Sequence, residues 1–239
     1  MSAWTASDIM ALCLARLLRT GETVFHGVAS PLPLVAILAA KRLSPPGPVY
    51  LNITGGVDAS PRRLPKSTDD PELLAGSASL FGLADIFDLA ARGGLDTAFI
   101  GAAQIDGSCR LNSSVIGPFD RPKVRLPGGA GSAVLVPNAK RTLVWRTKHD
   151  PRSFPARVDF VTSMGGIDRV VTPLCVFRNA GGRLVLESIH PGVGFDEVAA
   201  ATGFPLAAIS APATPAPSAA EMAALAAVDP GRLRDIEFA

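Results

Sequence analysis

The residues with chemistry to offer are concentrated between Thr97 and Ser132. An apolar run, Thr97-Ala98-Phe99-Ile100, breaks at Gly101 into a polar segment carrying Gln104, Asp106, Asn112, Ser113 and Ser114, and the stretch closes on Gly128-Gly129-Ala130-Gly131-Ser132. A buried strand that opens into Gly- and Asn-rich loops presents backbone N–H groups to a ligand, and small residues in a row let the backbone approach it closely. The same closing residues also read as tight turns. Elsewhere, His26 falls inside a strand-like run, where packing is the expectation over acid–base work. His190 stands just before Pro191, where ligand contact and a structural role both remain open. Cys13, Cys109 and Cys175 have no metal-ligand spacing, and the chain carries no phosphate-binding P-loop and no internal repeat.

These residues need a scaffold. Ser7 is expected to cap an amphipathic helix with Ile9, Leu12, Cys13, Leu14, Leu17 and Leu18 on one broad face, stopped by Gly21. Thr23–Val28 reads as a strand, Leu34–Leu43 as a helix opened by Pro33, and Val49–Ile53 as a second buried strand. This β–α–β order builds a parallel sheet, and it makes the handover loop Val28–Leu34 a candidate for substrate contact. Pro61–Pro71 reads as a surface loop, and Leu83–Ala91 as a helix leading into the strand at Thr97. Beyond the Gly-rich loop, Ala133–Val136, Thr142–Trp145, Val158–Val161, Val170–Val176 and Leu184–Ile189 read as short, largely antiparallel strands, with Asn179–Gly182 turning the last two. Phe195–Thr202 and Ala219–Val228 are expected helices, joined by an extended Ala/Pro-rich Pro205–Ser218. The expected fold class is α/β, an open and mostly parallel sheet sandwiched by helices, with additional antiparallel strands.

The order Gly101-Ala102-Ala103-Gln104-Ile105-Asp106, Asn112-Ser113-Ser114, Ile116-Gly117, Pro122-Lys123 and the Gly-rich loop resembles the B subunits of the family I CoA-transferases, the glutaconate CoA-transferase type. Asp58-Ala59-Ser60-Pro61, Thr202-Gly203-Phe204 and Asp229-Pro230 extend the resemblance over almost the whole chain, residues 17–235. It implies a CoA-transferase/NagB-like fold, an A-chain partner from the same family, acyl-CoA substrates, and no tightly bound cofactor or metal, CoA being part of the substrate. It also implies substrate or CoA binding by Gln104, Asn112, Gly128, Gly129, Ala130 and Gly131. Arg121, Lys123 and Arg125, the densest basic group in the sequence, read as a solvated face, with a CoA phosphate contact as the alternative.

One departure governs the functional expectation. The family carries a nucleophilic glutamate at the end of the second strand, and here the resemblance puts Ile53 in its place, followed by Thr54-Gly55. An isoleucine cannot form the acyl anhydride and enzyme thioester of covalent transfer. Asp58 matches a separate position and is expected to cap or turn the chain. No catalytic residue is therefore expected in this chain, and the protein is expected to be inactive alone. The resemblance includes a ring-opening β-keto acyl-CoA hydrolase branch, whose B chains also lack the glutamate, take the carboxylate from the A chain and share His190-Pro191-Gly192-Val193. A third reading is a non-catalytic structural or regulatory paralogue. Cys109-Arg110-Leu111 replaces the usual Gly-Asn pair, which leaves the acyl substrate open.

The 239 residues, 48% hydrophobic and 18% charged, suffice for one domain spanning 1–239. A net charge of +2 with scattered Lys and Arg argues against nucleic acid as a partner. No apolar run spans a bilayer, and the three dispersed cysteines fit a cytoplasmic location.

Overall fold

In the computed structural model, which describes residues 4–207 and 210–238, the chain opens with helix α1 (Ala6–Arg16). The helix is capped by Thr5 rather than Ser7. Thr5 Oγ1 accepts the Asp8 N–H at 3.3 Å while the Asp8 carboxylate accepts the Thr5 N–H at 2.8 Å, a reciprocal box that Ser7 has no acid to complete. Gly21 does not end the helix; Leu17 caps it, and Gly21 turns the connection further on with φ of 80°. Nor is α1 two-faced, since every residue from Ser7 to Ala15 is buried.

Strand β1 (Thr23–His26), helix α2 (Pro31–Leu43) and strand β2 (Val49–Asn52) form the expected β–α–β unit. Helix α2 begins earlier than expected, because Pro31 and Pro33 both sit in a first turn whose N–H groups have no intrahelical partner. After β3 (Gly56–Val57), a 3₁₀ turn at Pro71–Leu74, β4 (Ser79–Leu80) and α3 (Leu83–Ala91), the chain enters β5 (Thr97–Gly101). Strand β1 pairs parallel with β2 (Phe25 opposite Leu51) and with β5 (Phe25 opposite Ala98), while β3 and β4 add an antiparallel margin. The central strands are continuous apolar runs, as suits a parallel sheet covered by helices.

Contact density divides the molecule into two compact units. The first comprises the described residues up to Phe99 with Asn138–Lys140 and the residues from Pro217 onward; the second comprises Ile100–Pro137 and Arg141–Ala216. In the second, β6 (Gln104–Ile105) and β7 (Arg110–Asn112) form an antiparallel pair, and β8 (Val115–Ile116) pairs with β9 (Val124–Arg125). Helix α4 (Ser132–Asn138) follows, then β10 (Arg141–Trp145), β11 (Ser163–Met164) beside β7, β12 (Ile167–Val171), β13 (Cys175–Asn179), β14 (Leu184–Ile189) and helix α5 (Phe195–Ala201). Strand β12 is parallel to β10 and antiparallel to β13, which is antiparallel to β14. The chain then returns to the first unit with α6 (Ala219–Val228). The fold class is the expected mixture of parallel core strands, helices and antiparallel additions.

Four expectations are corrected in the second unit. Ala133–Val136 is helix, not strand. The Gly131 carbonyl accepts the N–H groups of Val134 (3.1 Å) and Leu135 (2.8 Å), so a turn closes before any ladder partner is met, and tertiary context overrides the β preference of valine. Val158–Val161 is loop, because the Val158 and Asp159 N–H groups donate to the side chains of Asp106 and Gln104 instead of to a strand. Val170–Val176 is two strands, because Pro173 has no N–H and Thr172 turns the chain by donating its own N–H to the Cys175 carbonyl at 3.0 Å. Pro205–Ser218 is not only a surface run. Ile189 N–H donates to Pro212, and Thr214 N–H to Ile189, so part of it extends the β14 edge; Ala208 and Ile209 lie outside the described residues.

The first unit is tied together by a buried charge cluster. Arg234 pairs with Asp8 and with Asp229, both at 2.7 Å, and the three side chains are 4%, 2% and 1% exposed. Burial alone would raise the Asp8 pKa; hydrogen bonds from Thr5 and Arg234 overcome it and hold the carboxyl below its ordinary value. Removing the guanidinium leaves buried Asp229 without its cation and Asp8 with only Arg232, at 3.7 Å. Arg234→Ala should therefore cost about 3–5 kcal/mol in urea unfolding; a loss under about 1 kcal/mol, the range of exposed pairs, would show that solvent reaches the cluster.

Candidate functional site

In the first unit, β1 and β2 end side by side. His26 is fully buried at the end of β1; its Nδ1 lies 2.9 Å from Ser30 Oγ and 3.0 Å from the Gly27 carbonyl, and its Nε2 lies 2.8 Å from the Tyr50 hydroxyl. Gly27 O can only accept, and the Ser30 hydroxyl already donates to it. The proton therefore resides on Nδ1, and Nε2 accepts from Tyr50. Burial drives the His26 pKa down to about 4 and raises that of Tyr50. Thr68 also donates to Gly27 O at 3.1 Å, so the handover loop after β1 is pinned from two sides. His26 is a packed, neutral residue, as expected.

One strand over, Asn52 ends β2 with no exposed surface. Its Oδ1 accepts the Thr54 hydroxyl (2.6 Å) and the Gly56 N–H (3.0 Å), and its Nδ2 donates to Leu73 O at 2.9 Å. The turn it governs holds Ile53, half-buried, and closes through Gly55 N–H to Asn52 O at 3.0 Å. Gly55 has φ of 96°, and a Cβ there would stand 2.3 Å from Phe81 O, so only glycine fits. Asp58, the nearest acid, accepts the Tyr50 N–H at 2.8 Å and pairs with Lys41 at 2.7 Å, a turn role as expected. The β2 end thus presents an aliphatic side chain and no carboxylate.

The second unit brings the other singled-out residues together. Gln104 and Asn112 are opposite one another on β6 and β7, and Asn112 Nδ2 donates to Gln104 Oε1 at 2.6 Å and to Val115 O at 2.6 Å. Asn112 Oδ1 accepts the Ser114 N–H at 3.0 Å and the Val115 N–H at 3.3 Å. Gln104 Nε2 donates to Asp159 at 3.2 Å, and its Oε1 also accepts the Asp159 N–H at 3.0 Å. Both amides are buried and engaged on all sides, so they hold loops in place. Ser113 then carries the order outward, its carbonyl accepting the Gly128 N–H at 2.7 Å. Thr162 ties the same point, accepting the Ser113 N–H at 2.9 Å and meeting the Ser114 hydroxyl at 2.7 Å.

Gly128 has φ of 94° and Ala130 has φ of 42°, a rare value for a residue with a Cβ. The Gly129 carbonyl faces inward, accepting the Ser132 N–H (2.8 Å) and hydroxyl (2.6 Å). Among the described residues, the N–H groups of Gly129, Ala130 and Gly131 donate to no acceptor. Successive backbone N–H groups in a segment that bends through positive φ form an anion-accepting concavity. Helix α4 starts immediately after the loop.

Thr162, Asp159 and Asn52 were not distinguishable in the sequence, because an isolated polar residue in a loop or strand end carries no spacing signal. His149, likewise unmarked, is half-buried between Thr172 Oγ1 (2.9 Å) and Thr202 Oγ1 (3.0 Å) and packs on Phe154; desolvation pushes its pKa to about 4. His190 is structural. It is 3% exposed, with Nε2 donating to Thr172 O at 2.8 Å and Nδ1 meeting Thr214 Oγ1 at 2.9 Å. Arg121, Lys123 and Arg125 are exposed around the β8–β9 hairpin, with Arg125 over the Phe119 ring at 5.1 Å. The three cysteines are buried and none is in a disulfide, and no group of metal-ligating side chains occurs among the described residues.

The profile of the Coenzyme A transferase family matches residues 8–201. The B chain of the 3-oxoadipate CoA-transferase of Pseudomonas knackmussii is 32% identical, over 96% of this chain and 95% of that protein. The cholesterol ring-cleaving hydrolase IpdB subunit of Rhodococcus jostii is 29% identical, over 84% of this chain and 93% of its own length. A crystal structure of the decarboxylase AibA/AibB superposes with a TM-score of 0.90 at 31% identity, covering 97% of each chain.

The neutral His26 has a measurable consequence. Its folded pKa of about 4 lies below the ordinary 6.5, so between these values the unfolded chain takes up a proton that the folded chain refuses. This contribution to stability is complete above pH 6.5 and is lost as the pH falls toward about 4. Relative to His26→Gln, the parent should lose up to about 1.4 kcal/mol of unfolding free energy per pH unit across that window. Parallel stability–pH curves for the two proteins would place a charged imidazole in the core.

Proposed function

The chain belongs to the Coenzyme A transferase family, and from that premise we propose that it is the B chain of a heteromeric enzyme acting on acyl-CoA thioesters, with the reactive carboxylate contributed by an A chain. The observation that carries this reading is the loop Gly128–Gly131, whose free N–H groups are offered by a backbone held from behind by Ser113, Thr162, Asn112 and Gln104. Thioester chemistry builds negative charge on the carbonyl oxygen, whether the next event is addition of a nucleophile or formation of an enolate. Preorganised N–H donors lower both barriers, and removing one such donor typically costs about 100- to 1000-fold in rate.

Ile53 decides which of these steps belongs to this chain. With an aliphatic side chain at the β2 end, and Asp58 engaged by Lys41 and the Tyr50 N–H, this chain supplies no anhydride-forming group. A transferase reading then requires the partner's carboxylate to act as nucleophile. The same aliphatic residue favours a second reading, in which that carboxylate acts as general base toward water and a β-keto thioester is cleaved. Decarboxylation, the reaction named for AibA/AibB, likewise needs an enolate held at the thioester oxygen and no nucleophile from this chain. The Gly128–Gly131 backbone, held in place by Gln104 and Asn112 from behind, would orient the thioester in each case. Three buried cysteines outside any disulfide are in keeping with a reducing, cytoplasmic setting. No helix among the described residues is long and apolar enough to cross a membrane.

The test is reconstitution with the A chain, followed by assay against acyl-CoAs. Acyl transfer to an added acid supports the first reading; CoA-ester cleavage or CO₂ release without an acceptor supports the second. Inactivity of every assembled pair would overturn both and leave a structural role. Gly129→Val should reduce turnover at least about 100-fold while the pair still assembles, because a Cβ there already meets Thr162 Cγ2 at 3.1 Å and the two further methyls add to that crowding. Unchanged kinetics in that variant would remove the loop from the mechanism.

A further inference from the structure

We infer that the carboxyl edge of β1, β2 and β4 is the face on which the second chain docks, with Leu80, Leu83 and Ile53 as its apolar anchors. The inference rests on the reading above, in which another chain brings the reactive carboxylate, and it assigns that chain a surface on this one.

Exposure is the first observation. Among the described residues of the first unit, the large apolar side chains left exposed are Val28 (58%), Leu80 (66%), Leu83 (56%) and Ile236 (48%). Topology gathers the first three at one edge. Val28 follows β1, which ends at His26, and the turn holding Ile53 follows β2, which runs parallel to β1. Strand β3 runs back and β4 forward again, with Leu80 opposite Gly56, so Leu80 emerges beside the same turn. The link is direct, since the Phe81 N–H donates to the Gly55 carbonyl at 2.9 Å. Neighbouring strands are about 4.8 Å apart, so the edge from β1 to β4 spans about 14 Å. A single exposed aliphatic residue needs no explanation, but several along one edge mark a contact surface.

Helix α3 widens that surface. Ile86 and Ala90, one turn apart, are buried, whereas Leu83 and Ala84 are exposed and Phe87, one turn from Leu83, is half-buried. A helix with apolar residues on more than its inner face has a second face to cover. Strand β4 has β3 on one side and, among the described residues, no strand on the other.

Charge selects the occupant. Asp85 and Asp88 are exposed on α3. Two copies of this chain meeting through α3 about a two-fold axis would set these carboxylates against their own counterparts, and like charges facing each other across an interface cost affinity. A different chain that surrounds an apolar patch with Lys or Arg meets them favourably. Position agrees with charge. Ligands of parallel α/β sheets gather outside the carboxyl ends of the strands, so a carboxylate brought by another chain arrives at this edge. Ile53, which cannot react, serves there as an apolar contact for the partner.

The experiment is sedimentation velocity on the full chain, alone and mixed with a purified A chain of the Coenzyme A transferase family, with the acyl-CoA assay run on each pair. The dissociation constant of the mixed assembly should rise at least about 100-fold in Leu80→Lys/Leu83→Lys and at least about tenfold in Ile53→Glu. The melting temperature of the isolated Leu80→Lys/Leu83→Lys chain should not move, because both residues are exposed. Asp88→Lys should slow association, and Ile236→Lys, away from the edge, should leave the affinity within about twofold. A parent pair that assembles and turns over acyl-CoA, but whose assembly the double variant leaves intact, would overturn the docking face and spare the catalytic reading. A pair that assembles without turnover and is broken by the double variant would do the reverse. Failure of the parent chain to assemble with any A chain would overturn both. Self-association of the chain alone, abolished by the double variant, would give the edge to a second copy and overturn the assignment.

Discussion

Asn112 has no exposed surface and a side chain with two donors and two lone-pair directions, and the loops around it take the course that fills them. Its Nδ2 engages Gln104 and Val115, and its Oδ1 engages the N–H groups of Ser114 and Val115. A buried amide left unpaired costs about 1–3 kcal/mol per group, so the segment following β7 is not free to choose another path. Ser113 is fixed as a consequence, and through Ser113 so is Gly128. The Gly-rich loop owes its conformation to this chain of obligations as much as to its own permissive residues. Its unpaired N–H groups stay available because the satisfied groups lie behind them.

The first unit uses the same device. Asn52 ends β2 as Asn112 ends β7, and its Oδ1 likewise takes an N–H from the turn that follows, that of Gly56. Its Nδ2 reaches the Leu73 carbonyl and so draws the 3₁₀ turn at Pro71–Leu74 against the strand end. In both units an asparagine converts the end of a strand into a rigid turn. At the β2 end that rigidity surrounds an aliphatic residue, and around the Gly128–Gly131 loop it surrounds bare backbone. Rigid backbone without a nucleophile fits the proposed role, in which this chain orients and polarises a substrate while another group reacts.

Charge in the first unit is handled in two opposite ways. Inside, Arg234 is enclosed with Asp8 and Asp229, where each ion depends on its partners because water does not reach it. At the surface, Arg42, Arg62, Arg63 and Lys66 line one cleft of the first unit. The histidines follow the interior rule: His26 and His149 are held neutral by burial, within hydrogen-bond networks that hold the rings in place.

Local patterns were legible in the residues themselves. Leu83–Ala91 and Ala219–Val228 are helices with the expected bounds, and the β–α–β opening follows from apolar runs set between Pro and Gly punctuation. The family was legible too, since it rests on the order of many short motifs, and so was the aliphatic character of the β2 end. What only the tertiary structure decided was where backbone hydrogen bonds go. Ala133–Val136 has the composition of a strand but is helical because Gly131 caps it from the preceding loop, and Val158–Val161 is no strand because distant carboxylate and amide side chains capture its N–H groups. Gln104 and Asn112 could be marked as important from sequence, but their meeting across β6 and β7 could not. Sequence records each residue's capacity to bond, whereas the choice of partner depends on which groups the folded chain brings within about 3 Å and shields from water.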